Sequence, residues 1–278
     1  MKPLEKLKVV NLAVNLPGPA AARRLKELGA KVTKVEPPGG DPLYHYSRAW
    51  YGELNDGQKL VVLDLKEEEG RKRLDGLLAD ADLLITAHRP SALGRLGLGW
   101  ESLHERFPRL CQVAIVGYPP PFENEPGHDL TYQAKIGLVT PPQMPRTLVA
   151  DMAGAERAVS QALALVIGRG SEGVGGYALV PLSEAADYMA EPLKAGFTAP
   201  GGMGGGGLPG YNLYEARQGW VAVAALEPHF KKRMDEALGV ASRSPEELWP
   251  VFLGKGAVEW EEWAKEHDLP IVAVKDAP

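Results

Sequence analysis

The sequence has few of the residues and runs that mark several common protein classes. It has one cysteine, Cys111, in 278 residues, so no internal disulfide can form, which favours a reducing compartment. Cys111 lies in an apolar run, and a small core residue is the simplest interpretation. The net charge of −5 argues against general nucleic-acid binding, which requires a basic surface. No apolar run approaches the length that spans a membrane.

Motifs for secretion, metal binding and nucleotide binding are also missing. Lys2, Glu5 and Lys6 stand near the start without a long apolar run behind them, so we expect no signal peptide and a cytoplasmic protein. The histidines show neither HExxH nor CxxC spacing, so no metal site is predicted. Residues 200–210 are rich in glycine but lack the lysine and hydroxyl residue of a phosphate-binding loop. They indicate a flexible connector or, alternatively, a mobile active-site loop.

The first part of the chain alternates apolar β-branched runs with helical patterns. Strands are predicted at 8–14, 31–35, 59–65, 83–86 and 110–116, and helices at 20–28, 67–78 and 100–107. This alternation predicts an α/β fold with a parallel sheet covered on both faces. An alanine-rich helix is predicted from Asp151 to residue 168. The later segments predict a hairpin at 211–225, helices at 228–238 and 258–267, and a short strand at 270–274.

The first strand–helix–strand unit has the proportions of a dinucleotide-binding fold, with Glu36 at the end of its second strand. The turn after its first strand argues against that function. It offers only Gly18, between Pro17 and Pro19, and prolines supply no backbone N–H to a pyrophosphate. A nicotinamide cofactor is therefore not predicted.

Three short sequence motifs each place one titratable residue among small or apolar neighbours. They are residues 127–132 with His128, 149–154 with Asp151, and 224–228 with Glu227. Burial and mutual contact move the pKa values of such groups toward neutrality, as proton-transfer chemistry requires. Each residue taken alone has a simpler interpretation, since histidines are common in loops and aspartates cap helices. At a helix N-terminus, the macrodipole would favour the carboxylate form of Asp151.

Short sequence motifs that match a known family cover most of the chain, and they occur in the same order as in the family. They lie at residues 8–12, 17–19, 28–37, 63–66, 89–90, 95–99, 108–110, 127–132, 211–215 and 227–230. Together they resemble the α-methylacyl-CoA racemases, members of the family III CoA-transferase superfamily (the L-carnitine dehydratase/bile-acid-inducible protein type).

The resemblance implies a Rossmann-like large domain and a small α/β domain. The large domain would span 1–199, with 268–278 returning to it, and the small domain 211–267 would follow the glycine-rich linker 200–210. The resemblance also implies an intertwined homodimer, with each active site between the large domain of one subunit and the small domain of its partner.

For function, the resemblance implies racemisation of 2-methylacyl-CoA thioesters of fatty acid metabolism by removal and return of the α-proton through an enolate. His128 and Asp151 would be the acid/base pair, and Glu227 would orient His128. The residues implied to contact CoA are Leu63, Asp64, Leu65, Lys66, Arg89, Gly127, Asp129 and Tyr132. Coenzyme A enters as part of the substrate, and no separate cofactor, metal, nucleic acid or membrane is implied.

Two other functions stay open. A CoA transferase would use Asp151 as a nucleophile and form an acyl-aspartyl intermediate; the pairing of His128 with Glu227 favours the racemase. A non-catalytic or altered-substrate relative is the third hypothesis. It is motivated by Pro37 and Asp56, which stand where the family usually carries positive charge.

Overall fold

A parallel sheet forms the centre of the first of the chain's two units, residues 1–190. The computed structural model describes residues 2–170 and 173–275, and within them this sheet has six strands. They are β1 (Lys8–Asn11), β2 (Lys31–Glu36), β3 (Lys59–Val62), β4 (Leu83–Thr86), β5 (Cys111–Val116) and β6 (Tyr177–Pro181). The order is β3-β2-β1-β4-β5-β6, and all neighbours are parallel. The predicted parallel α/β fold is confirmed, although β6 was not predicted.

Helices cover both faces of this sheet, because alternate strand residues point to opposite sides. The helices are α1 (Pro17–Glu27), α2 (Leu43–Tyr46), α3 (Arg48–Asn55), α4 (Glu68–Ala79), α5 (Pro90–Arg95), α6 (Trp100–Arg106), α7 (Asp129–Lys135), α8 (Val149–Arg169) and α9 (Leu182–Met189). Leu83 and Ile85 belong to the core that includes alanines of α1 and α8. Leu84, between them, belongs to the core that includes leucines of α4, α5 and α6. Burial on both faces explains the continuous apolar runs in the sequence.

The strand order reverses direction between β1 and β4. From β1 the chain proceeds outward through β2 and β3, and from β4 it proceeds the other way through β5 and β6. At such a reversal the loops that follow the two central strands diverge, and ligands of open α/β sheets bind in the resulting crevice. The loops after β1 and β4 are therefore the first place to seek a site.

A buried ionic cluster holds the loop after β1 in place. The Lys34 ammonium is fully buried and lies 2.5 Å from Asp41 Oδ2 and 3.2 Å from Glu36 Oε1. The Tyr51 hydroxyl donates to Glu36 Oε1 at 2.9 Å, so the Glu36 carboxylate is engaged within the fold. Asp41 Oδ1 also accepts the backbone N–H of Asn15 at 2.8 Å. This bond supports the left-handed conformation of Asn15, whose φ is 66°.

The second unit, residues 191–278, is built on an antiparallel sheet. In its described part three strands pair in the order β7-β8-β9, namely β7 (Tyr211–Glu215), β8 (Trp220–Ala224) and β9 (Ile271–Ala273). Its helices are α10 (Glu191–Lys194), α11 (Pro228–Leu238), α12 (Pro245–Phe252) and α13 (Ala257–Glu266). The predicted hairpin at 211–225 corresponds to β7 and β8.

The expected return of the C-terminal segment to the large domain is wrong for the described residues 268–275. Ile271 pairs with Val223 of β8, and it belongs to the apolar core of the second unit together with Tyr214 and Trp260. Burying this apolar strand end beside β8 satisfies both its side chains and its backbone groups. Residues 276–278 lie outside the described residues.

The glycine-rich segment 200–210 is a folded turn of the second unit, and the chain divides after residue 190 instead of after 199. The backbone of residues 203–207 is kinked, with non-helical conformations at Gly205 and Gly206, and Gly204 N–H donates to the Phe197 carbonyl at 2.8 Å. A Cβ at Gly205 would lie 1.9 Å from the Ala199 carbonyl oxygen. Close packing of backbone against backbone therefore requires glycine here.

Candidate active site

A cavity of about 580 Å³ lies at the carboxyl ends of the central strands of the first unit. Its walls come from the loops after β1, β4 and β5 and from the starts of α7 and α8. The residues that line it include Asn15, Leu16, Trp50, His88, Arg89, Glu123, Gly127, His128, Tyr132, Leu148 and Asp151. The cavity occupies the crevice expected at the reversal of strand order.

His128 is the N-cap residue of α7, and its backbone is extended. Its N–H donates to Thr131 Oγ1 at 3.0 Å, and its carbonyl accepts from the Thr131 hydroxyl at 2.7 Å. The side chain is exposed and lines the cavity. The fold therefore fixes the backbone of His128 at the cavity wall and leaves the imidazole accessible to a ligand.

Tyr132 packs one turn further along α7 and explains the glycine before His128. A Cβ at Gly127 would lie 2.5 Å from Tyr132 Cε1, and one at Gly117 would lie 2.5 Å from the phenol oxygen. The ring also meets Tyr118 edge-on, with 5.2 Å between centroids. Burial, with Tyr118 and Asp151 nearby, raises the pKa of Tyr132 to about 12. Tyr132 is therefore a neutral phenol at physiological pH.

Asp151 is the third residue of α8 and lines the same cavity as His128. Its backbone N–H donates to Oδ1 of the buried Asp129 at 3.0 Å, and Oδ2 of Asp129 accepts from the Gln133 amide. Burial first, and the Asp129 carboxylate second, raise the pKa of Asp151 to about 7. The helix dipole favours the ionised form, as the sequence suggested, but desolvation has the larger effect. A carboxyl group with this pKa both releases and accepts protons near neutral pH.

Asp129→Asn is expected to lower the pKa of Asp151, because it removes the second of the two causes that raise it. The asparagine oxygen still accepts the Asp151 N–H, so the start of α8 should keep its position. The carboxyl titration of ¹³C-labelled protein, followed by NMR, measures the change, with Asp151→Asn identifying the resonance. An unchanged titration would show that Asp129 acts only as a hydrogen-bond acceptor for α8.

The other residues implied to contact CoA fall in three places. Arg89, Gly127 and Tyr132 line the cavity beside His128 and Asp151, whereas Asp129 lies buried beneath Asp151. The segment 63–66 follows the edge strand β3 and does not line this cavity; Leu65 lines a different hollow, of about 370 Å³, against α4. Lys66 is exposed, and its ammonium pairs with no carboxylate in the described part of the chain.

Glu227 belongs to the second unit, where it directly precedes α11 and is exposed. Its pairing with His128 stays a prediction.

Comparison with known proteins decides the family. The sequence profile of CoA-transferase family III matches residues 4–277. The chain belongs to this family. A crystal structure of Rv3272 from M. tuberculosis superposes with a TM-score of 0.87 at 25% identity, covering 99% of this chain and 83% of that one. The six-stranded sheet of the described residues is therefore the sheet of a family III fold.

Curated relatives of the family carry two kinds of name. The alpha-methylacyl-CoA racemase of Homo sapiens is 30% identical over 288 residues, which is 92% of this chain and 74% of that protein. The cinnamoyl-CoA:phenyllactate CoA-transferase of Clostridium sporogenes is 38% identical over 138 residues, which is 45% of this chain and 34% of that protein. The chain thus spans about a third of the length of one relative and about three quarters of the other.

Several residues that line the cavity of this family III protein lie outside the sequence motifs that carry the family resemblance. They include His88, Glu123 and Asn15. Their sequence position indicates a place near the site, since His88 follows the end of β4 by two residues and Asn15 lies in the loop after β1.

Among residues 2–170 and 173–275, no group of three or more potential metal ligands occurs. No helix in that part of the chain is long and apolar enough to cross a bilayer.

Proposed function

We propose that this protein racemises 2-methylacyl-CoA thioesters by abstracting and returning the α-proton. The observation that supports this most directly is the placement of Asp151, with a pKa of about 7, in one cavity with the imidazole of His128. Inversion at a carbon requires one group to remove a proton from one face and another to deliver a proton to the opposite face. A carboxyl group with a pKa of about 7 can take or give a proton near neutral pH, and an imidazole is a common general acid and base in enzymes.

In the proposed reaction, the basic form of one group (the Asp151 carboxylate or the neutral imidazole of His128) takes the α-proton, and the C–H electron pair delocalises onto the thioester oxygen. The conjugate acid of the other group then protonates the α-carbon from the opposite face. Leu148 and Asp151 line the cavity at the start of the 21-residue helix α8. The positive end of the helix dipole would therefore lie near the developing enolate charge and stabilise it.

Glu227 completes the proposed site as the carboxylate that orients the His128 ring. Its carboxylate would accept the ring N–H that faces away from substrate and so select the reactive tautomer. We further propose that the protein acts as a homodimer in which Glu227 comes from the partner subunit. Arg89 and Lys66 are the cations proposed to contact the CoA moiety.

CoA transfer between acids is the second candidate, favoured by the Clostridium relative named as a CoA-transferase. In that reaction the Asp151 carboxylate would attack the thioester carbonyl, release CoA thiolate and form a mixed anhydride. The nucleophile must be ionised, and a pKa of about 7 leaves about half of the Asp151 population ionised at neutral pH. The same carboxylate thus serves both candidate reactions, and only chemistry at the α-carbon separates them.

Incubation with (S)-2-methylacyl-CoA in heavy water should give deuterium at the α-carbon and a mixture of epimers. Mass spectrometry measures the incorporation, and chiral chromatography measures the inversion. The control is a thioester with no α-hydrogen, which must remain unlabelled. Cleavage of an acyl-Asp151 anhydride by hydroxylamine to a hydroxamate, without α-exchange in any ester tested, would establish the transferase instead.

A further inference from the structure

Buried polar atoms with no hydrogen-bond partner in the described part of the chain occur in two residues that line the candidate cavity, on the loops after β4 and β5. They are Nδ1 of His88 and Oε2 of Glu123. Both atoms are buried, and both residues line the cavity of His128 and Asp151. A buried polar atom without a partner costs free energy, on the order of 1–3 kcal/mol. Such atoms in a cavity wall indicate contacts that a bound ligand completes.

The local structure holds the two loops together on one side of the cavity. His88 follows β4, the central strand next to β1, and stands directly before Arg89 at the start of α5. The backbone N–H of Ser91 donates to Asn124 Oδ1 at 3.2 Å, which ties α5 to the loop that carries Glu123. The positions of His88 and Glu123 are therefore coupled through Ser91 and Asn124.

The chemistry of the two atoms restricts what can bind them. Oε2 of Glu123 is a carboxyl oxygen that can accept a hydrogen bond, so an N–H or O–H of the ligand would supply its missing partner. Burial lowers the pKa of His88, which keeps its ring neutral, with one nitrogen donating and the other accepting. A purely hydrocarbon ligand would leave both atoms without partners.

We propose that His88 and Glu123 form a polar subsite that binds a hydrogen-bond donor of the acyl-CoA. The inference rests on the proposed function, which supplies an acyl-CoA as the ligand of this cavity. Two parts of such a ligand carry the required donors. The pantetheine arm has two amide N–H groups and a hydroxyl, and a hydroxyacyl chain has an O–H. Either would engage the subsite while the α-carbon lies near Asp151.

Isothermal titration calorimetry with CoA, butanoyl-CoA and 3-hydroxybutanoyl-CoA tests the subsite by binding, with no need for turnover. His88→Phe keeps an aromatic ring without its nitrogens, and Glu123→Leu keeps volume without a carboxylate. Each should weaken binding about tenfold, the loss expected for one hydrogen bond to a buried group. Glu123→Gln retains an acceptor oxygen and should stay within about threefold of the wild type.

The melting temperature of the unliganded protein separates binding from a structural role. His88→Phe removes a polar atom that has no partner, so it should preserve or raise the melting temperature while weakening binding. His104→Phe is the matched control, because His104 Nδ1 is also buried without a partner but lies on α6, outside the residues that line the cavity. That variant should leave the dissociation constants unchanged.

The three ligands identify which donor is bound. If the His88→Phe and Glu123→Leu variants lose affinity equally for all three ligands, the donor belongs to the pantetheine arm. If they lose affinity only for 3-hydroxybutanoyl-CoA, the donor is the acyl hydroxyl. Wild-type binding that His88→Phe and Glu123→Leu leave intact would overturn the subsite alone. A joint fall in melting temperature and affinity would show that the residues are structural. If the wild type binds none of the three, the acyl-CoA function fails and the subsite fails with it.

Discussion

Asp151→Asn is expected to lower kcat/KM for racemisation by about 10²–10⁴-fold, the range for removal of a general acid or base. The same substitution should stabilise the folded protein above pH 7. The asparagine side chain has nearly the same shape as the carboxyl group, and the backbone N–H of residue 151 can still donate to Asp129. The side-chain amide carries no charge that burial would penalise. Activity and stability should therefore change in opposite directions.

The pH dependence of this stability difference follows from proton linkage. The pKa of Asp151 is about 7 in the folded protein, against an ordinary value of 3.8. Between these values the folded state keeps a proton that the unfolded state has lost, so the free energy of unfolding falls as pH rises. This decrease in the free energy of unfolding is absent below about pH 4 and complete above about pH 7. Its full size is on the order of 2–4 kcal/mol, and the lower figure allows for solvent screening of the Asp151 charge.

Denaturant unfolding of the wild type and Asp151→Asn at several pH values between 4 and 8 measures the difference between them. The two curves should coincide at the acid end and diverge toward pH 8, with the variant more stable. Glu105→Gln, which alters an exposed carboxyl on α6, provides the control and should follow the wild type throughout. Parallel curves for wild type and Asp151→Asn would mean that Asp151 ionises normally and is not poised for proton transfer.

Features with a local cause could be predicted from the sequence. The apolar β-branched run 83–86 corresponds residue for residue to β4, and the helix predicted at 228–238 corresponds to α11. The alanine-rich helix that carries Asp151 begins two residues before the predicted start, at Val149. In each case the periodicity or propensity of the segment itself is enough to predict its secondary structure. Element order then leads to the parallel sheet, since connections in such folds follow few rules.

Features that depend on a distant partner could not be predicted in this way. Asp129 stands in the same motif as His128 and was expected to contact CoA, yet the fold turns its carboxylate to a backbone N–H 22 residues further along the chain. The strand β9 is an apolar run of three residues that would suit either sheet, and only the antiparallel register with β8 decides between them. A sequence pattern shows which groups need partners but not which partners they meet.

His88 illustrates a signal that lies in sequence position and not in residue spacing. A histidine considered by spacing alone is not distinctive, but one that follows the end of a predicted central strand lies at the ligand-binding edge of the sheet. Together with the reversal of strand order between β1 and β4, the predicted strand ends place His88 and Asn15 at the candidate site.

His128→Ala is expected to abolish racemisation while leaving α-proton exchange in one epimer of a 2-methylacyl-CoA. If His128 and Asp151 act on opposite faces, each face has its own base. Loss of the imidazole then blocks proton removal from one epimer, while Asp151 still removes and returns the proton of the other. Asp151→Asn should show the reverse preference, since only His128 remains.

Deuterium incorporation into the separate (R) and (S) esters, measured by mass spectrometry for both variants, tests this pattern. The expected loss is about 10²–10⁴-fold for the epimer whose base is missing, and no more than about tenfold for the other. Tyr46→Phe, an exposed aromatic at the cavity edge, provides the control and should affect both epimers alike. Equal loss for both epimers in each variant would show that the two groups act on the same face, which is incompatible with inversion by two bases. If acyl transfer were lost in Asp151→Asn and preserved in His128→Ala, the carboxylate would be a nucleophile and the protein a CoA transferase.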